Sequence, residues 1–110
     1  MKKDTGFYEY VIYDVLSGIS GITSKHMFSG WGVYKDNVIF AFINDGQLYF
    51  KVGENNRADF ESRGSKPFTY FKAPNKTVEL SYWLLPEEIM EDKEKLILWI
   101  EKSLEASMEK

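Results

Sequence analysis

The side chains able to do chemistry in this sequence are few. His26 is the only histidine and there is no cysteine, so nucleophilic catalysis would fall to a serine. Ser24 and Ser29 lie close to His26 in sequence. Such chemistry needs a base within hydrogen-bond reach of the nucleophile and a third group to orient the base, and no motif marks that arrangement here. A transition-metal site needs several imidazole or thiolate ligands at set spacing, which one histidine and scattered carboxylates do not supply. Glu87, Glu88, Glu91 and Asp92 could attract a hard cation, but adjacent acids on a helix are ordinarily solvated. No motif suggests the paired carboxylates of glycoside hydrolysis.

The stretch Phe28–Tyr34, FSGWGVY, poses a sharper question. A phosphate-binding glycine loop sits between a strand and a helix N-terminus, whereas Gly30-Trp31-Gly32 is followed by a strand and a hairpin. The glycines are therefore read as a bend or bulge at the start of a strand, with Trp31 packed over a core edge. A base-stacking platform would interleave exposed rings with Lys or Arg. Tyr34, Tyr49, Tyr70 and Tyr82 with Lys35, Lys51 and Lys72 form a faint version of that pattern, and sheet aromatics more often pair across strands.

The elements that must position these residues follow from periodicity. Phe7, Val11, Val15 and Ile19, flanked by Tyr8, Ile12 and Leu16, predict a first helix opened by Thr5 and closed by Gly18 and Gly21. Lys25–Phe28 reads as a short strand. Trp31–Lys35, the turn at Asp36-Asn37, Val38–Ile43, the turn at Asn44-Asp45-Gly46, and Gln47–Val52 predict a three-stranded antiparallel meander. The run Val38–Ile43 is apolar at every position, so that strand should be central and buried on both faces. Asn55 or Asn56 could cap a short helix ending at Gly64. Phe68–Lys72 and Thr77–Trp83 are strands joined by a turn at Ala73-Pro74-Asn75-Lys76. Pro86 opens another helix, with Glu87 and Glu88 at the positive end of its dipole. Asp92 caps the last helix, where Leu96, Ile97, Ile100, Leu104 and Met108 form a stripe edged by Trp99. The expected fold class is α+β, an antiparallel sheet of five to six strands with helices packed on one side.

The totals agree with one domain over residues 1–110. Apolar residues make up 44% and aromatics 16%, so a real core is within reach of a short chain. The absence of cysteine fits a reducing compartment. The longest apolar run, Val38–Ile43, is far shorter than the about 20 residues of a membrane span, and no signal peptide opens the chain, so the expected location is cytoplasmic. Net charge is −3, which argues against direct nucleic-acid binding, since such binding draws on neutralised phosphates. The charge is uneven: residues 51–76 hold six basic against three acidic residues, and 87–110 hold four against eight. Such runs are usually solvated faces, but they also suit docking by complementary charge.

Taken in order, Met27–Tyr34 (MFSGWGVY), Phe40–Ile43 (FAFI), Leu48–Val52 (LYFKV), Asn56–Phe60 (NRADF), Gly64–Tyr70 (GSKPFTY) and Leu80–Glu88 (LSYWLLPEE) resemble the N-terminal domain of the TfoX family of bacterial competence regulators. The resemblance runs from about Met27 to Trp99, and its specificity comes from several ordered blocks at compatible spacing. It implies a cytoplasmic α+β domain with no enzymatic activity and no cofactor. It also implies a role in transcriptional control of DNA uptake, exerted together with the cyclic-AMP receptor protein. Full-length members of the family carry a second, C-terminal helical domain. This sequence departs there, ending at Lys110, which gives the expectation of an isolated N-terminal domain or a stand-alone relative.

The leading expectation is a non-catalytic regulatory domain that works through protein contact, with transcription machinery as the implied partner. Aromatics carry much interface energy, which singles out Phe28, Trp31 and Tyr34 and the Tyr82-Trp83 pair. Arg57 and Phe60 on the short helix form a second patch. Two other readings stand beside it: a small-ligand sensor or enzyme with a pocket between sheet and helix, and a homodimer through sheet edges or helices.

Overall fold

The computed structural model describes residues 5–27 and 29–108. A short helix α1 (Thr5–Glu9) winds on as a π-helix over Tyr10–Val15. Its i→i+5 bonding widens the turn, which suits apolar residues spaced four apart, and Val11, Val15 and Leu16 are buried. Then come β1 (Ile22–Met27), β2 (Gly30–Lys35), β3 (Val38–Asn44), β4 (Gln47–Lys51), α2 (Arg57–Glu61), β5 (Pro67–Ala73), β6 (Lys76–Leu84), α3 (Glu87–Met90) and α4 (Lys93–Met108). The strands form one antiparallel sheet in the order β1-β2-β3-β4-β6-β5. The α+β class, the six strands and the helices on one side agree with the sequence reading. The meander has four strands rather than three, because the chain from Ile22 pairs fully with β2.

Turn chemistry fixes the register. Asp36 and Asn37 both take positive φ, as do Asp45 and Gly46, the requirement of the two-residue hairpin turns whose twist matches the strands. Asn75 is left-handed after Pro74, which suits a turn led by proline. Asp92 accepts a hydrogen bond from the Lys95 amide at 3.3 Å and so caps α4. Asn56 stands at the start of α2 but turns its buried amide back. Its Oδ1 accepts from the Gly53 N–H at 2.8 Å and its Nδ2 donates to the Lys51 carbonyl at 3.0 Å, which fixes the loop after β4.

The main core lies between the sheet and the helices. Trp31, Val33, Phe40, Ala41, Ile43, Leu48 and Phe50 meet Val11, Val15, Leu16, Phe60, Ile89, Leu96 and Ile100. A bulge in β3 makes this possible: Val33 pairs with Ala41 and Tyr34 with Ile39, leaving Phe40 as the extra residue. An extra residue bends the strand and re-aims its neighbours, so Phe40 and Ala41 both join the core. Trp31 stacks on Tyr8 at 4.4 Å, and the Tyr8 hydroxyl shares a 2.6 Å hydrogen bond with Ser24 Oγ. Lys93 donates to the carbonyls of Val15 and Ser17, tying the start of α4 to the end of the N-terminal helix. On α4 the stripe is shifted from the sequence reading. Leu96 and Ile100 are buried, but Ile97 and Met108 are exposed, and Ser103 and Ala106 are buried in their place. The helix lies close on β3 and β4, so small residues face the strands where the two elements approach.

The glycines of FSGWGVY are explained by contact. A Cβ on Gly30 would lie 1.8 Å from the Ile43 carbonyl oxygen, whereas one on Gly32 would meet the flexible Met27 sulfur at 2.6 Å. Gly30→Ala is therefore expected to cost about 3 kcal/mol and Gly32→Ala about 1 kcal/mol, read by urea denaturation; equal losses would contradict the assignment. Ser103 Oγ is buried without a hydrogen-bond partner. Ser103→Ala removes an unpaired polar group and adds a better helix former, so stability is expected to rise by about 1 kcal/mol, measured by the same method.

Candidate functional site

Strand alternation gives the sheet two faces, and the helices cover one of them. Register assigns the other. Thr23, Lys25 and Met27 of β1, Tyr34 of β2, and Ile39, Phe42 and Asn44 of β3 share that face. So do Tyr49 and Lys51 of β4, Leu80, Tyr82 and Leu84 of β6, and Phe68 and Tyr70 of β5. Phe42 is 2% exposed yet stands outside the main core cluster. It is enclosed by Tyr49, Phe68 and Tyr82, with ring centroids at 6.2, 5.2 and 6.1 Å.

That enclosure defines the shape. β3 and β5 are three positions apart in the sheet, which in a flat sheet would separate them by about 14 Å. Rings 5.2 Å apart mean that the β5–β6 hairpin curls toward the face and makes it concave. Register shifts in β5, at 67–69 and at 71–73, supply the bend. Phe68 also meets Tyr49 edge to face at 5.2 Å. Lys25 Nζ stands 5.4 Å from the Tyr34 ring and Lys51 Nζ 5.2 Å from the Tyr82 ring, each a cation over a π face. Lys51 also donates to Ser81 Oγ at 2.7 Å. An apolar slot of about 230 Å³ opens beside this cluster, lined by Phe68, Tyr70, Leu80, Asn44 and Ser29.

The residues singled out from sequence fall in different places. Tyr34 and Tyr82 share the concave face. Trp83, next to Tyr82 in the same strand, points to the opposite face, where the Arg57 guanidinium lies 5.4 Å from its ring. Arg57 and Trp83 line an open groove of about 350 Å³, and Arg57 is paired with Glu61 at 3.0 Å. Trp31 and Phe60 are buried at 6% and 1% exposure, Phe60 against Trp99 at 4.7 Å; both belong to the main core. Phe28 lies outside the described residues. Of the faint sequence pattern of rings and lysines, Tyr34, Tyr49, Tyr70, Tyr82 and Lys51 come together, whereas Lys35 turns to the Ser20 carbonyl at 2.8 Å and Lys72 is exposed at the second register shift of β5. Phe42, Phe68 and Lys25 were not singled out as site residues. The signal for Phe42 was the strand with apolar residues at both parities, which needs a cover on its second face.

Other chemistry is occupied. Ser24 is engaged by Tyr8, Glu88 pairs with Arg63 at 3.2 Å, and Asp92 caps α4. Among the described residues no three His, Asp or Glu side chains gather to hold a metal ion, and no helix is long and apolar enough to cross a membrane. A further groove of about 520 Å³ lies between the N-terminal helix and α3, lined by Phe7, Tyr10, Leu48, Leu84, Met90 and Glu87 among others.

The TfoX N-terminal domain model matches residues 14–107, and the chain belongs to that family. Protein Sxy of Escherichia coli (strain K12) is 23% identical over 99 residues, covering 90% of this chain and 47% of the relative. The chain thus spans about half the length of that curated relative. The match supports a competence-regulator-like family.

Burial holds the Tyr82 phenol above its ordinary 10.0, and the neighbouring Tyr34 phenol adds to the shift. Tyr49 is raised likewise, by burial first and then by Asp45. A phenol whose pKa is higher folded than unfolded contributes stability in full below the unfolded value and loses it as pH rises through the folded value. Wild-type stability is therefore expected to decline above about pH 10. Tyr82→Phe should decline less over the same range, with denaturant midpoints taken across the alkaline limb as the measurement. Parallel decline of the two proteins would contradict the burial of Tyr82 on this face.

Proposed function

We propose that this TfoX-family domain is a non-catalytic regulatory module that acts in the cytoplasm through protein contact, in the transcriptional control of DNA uptake. The observation that carries the reading is the concave aromatic face. Tyr34, Tyr49, Tyr70, Tyr82 and Phe68 gather on the side of the sheet without helices, with Lys25 and Lys51 among them. Large amphipathic rings beside cations are the chemistry of interface anchors. The regulator-like family supports the absence of catalysis. Transcription machinery is the partner class that the family resemblance favours.

The reading is tested by capture with the tagged chain from nuclease-treated lysate of its host, read by mass spectrometry. A Tyr34→Ala, Tyr82→Ala double variant, checked for folding by circular dichroism, is the control. Transcription proteins are expected with wild type and not with the folded variant. Equal recovery by both, or reproducible recovery by neither, would overturn the proposal.

A further inference from the structure

We infer that the concave face takes a short acidic segment of a partner protein, its carboxylates meeting Lys25 and Lys51 and one apolar side chain entering the slot beside Phe68. The inference rests on the protein-contact reading above and names the chemistry of the partner.

Charge is the first ground. The chain has net charge −3, with 17 acidic residues. Yet the strand positions that register places on this face carry Lys25, Lys51 and Lys76 and not one Asp or Glu. Lys25 and Lys51 are held above rings, so their stems are already ordered and less entropy is lost when a carboxylate arrives. The second ground is the slot. Its volume of about 230 Å³ falls below the about 300 Å³ at which small-molecule sites begin, and suits one side chain of a larger partner. Its walls, Phe68, Tyr70 and Leu80, are apolar, while Asn44 and Ser29 close one side. The Asn44 Nδ2 donates to Ser29 Oγ at 3.1 Å, so those polar groups are satisfied within the domain.

The same features weigh against the other occupants. A single nucleic-acid strand needs free ring faces for stacking. Here Phe42, Tyr49, Phe68 and Tyr82 pack against each other, largely at steep angles, and lysines stand over Tyr34 and Tyr82. At one of the two sheet edges a second copy meets a guarded strand: β5 opens with Pro67, contains Lys72 and is twice out of register. Those are the devices that prevent edge-to-edge pairing.

The test is fluorescence anisotropy of the full chain with a short fluorescein-labelled peptide of alternating Glu and Ser around one central Phe. Comparison probes are the peptide with Phe replaced by Ala, a Lys-for-Glu counterpart, and a labelled oligothymidylate. The acidic Phe peptide is expected to bind and to weaken with added salt. Lys25→Glu with Lys51→Glu should weaken it at least about tenfold, whereas Lys95→Glu on α4 should leave it unchanged. Loss of the peptide Phe should weaken it comparably. No binding, equal binding of the Lys counterpart, indifference to the double charge reversal, or tighter binding of oligothymidylate would each overturn the inference. If partner capture depends on Tyr34 and Tyr82 while the peptide fails, the acidic segment is wrong and protein contact stands. If capture itself is absent, the broader reading fails.

Discussion

The structure turns on one strand that is apolar on both sides. β3 must bury Phe40, Ala41 and Ile43 in one direction and Phe42 in the other. The helices satisfy the first demand. Phe42 lies outside the core that the helices cover, and an exposed phenylalanine would forfeit about 1.5–3 kcal/mol of burial. The chain meets the demand with its own sheet, curling β5 and β6 until Phe68 closes over Phe42. The concavity, the half-buried tyrosines and the slot beside them all follow from that closure.

The same constraint explains how much was legible in advance. Residues that act through local rules were readable: Asp36-Asn37 and Asp45-Gly46 demand hairpins, Pro86 and Asp92 mark helix starts, and Leu48, Phe50 and Val52 alternate against polar neighbours. The strand order was not readable, because it depends on which edge β6 chooses. Nor was the bulge at Phe40, since an all-apolar run carries no period to reveal an extra residue. On α4, hydrophobic spacing suggested Ile97 and Met108, but close approach to the sheet selected Ser103 and Ala106.

The candidate site shows the same limit. Tyr82 and Trp83 are adjacent in sequence and were read as one patch; alternation sends them to opposite faces. Trp31 and Phe60 have the ring chemistry of interface residues and are used for the core, where a ring stabilises a small domain most. Tyr34 and Tyr82 were picked out for being aromatic, and they belong together because the sheet curves. Phe68 and Lys25 carry no local mark, since their part in the face exists only once β5 and β1 are placed. In this chain the candidate contact surface thus gathers on the concave side of the sheet.

Position-specific photocrosslinking tests that claim most directly. A photoreactive phenylalanine analogue would be placed at Tyr49 on the concave face or at Leu98, which is 58% exposed on α4, and irradiated in cells. Adducts to a partner protein from Tyr49 and none from Leu98 are the result predicted here. Adducts from Leu98 and none from Tyr49 would place the partner on the helical side and contradict the account.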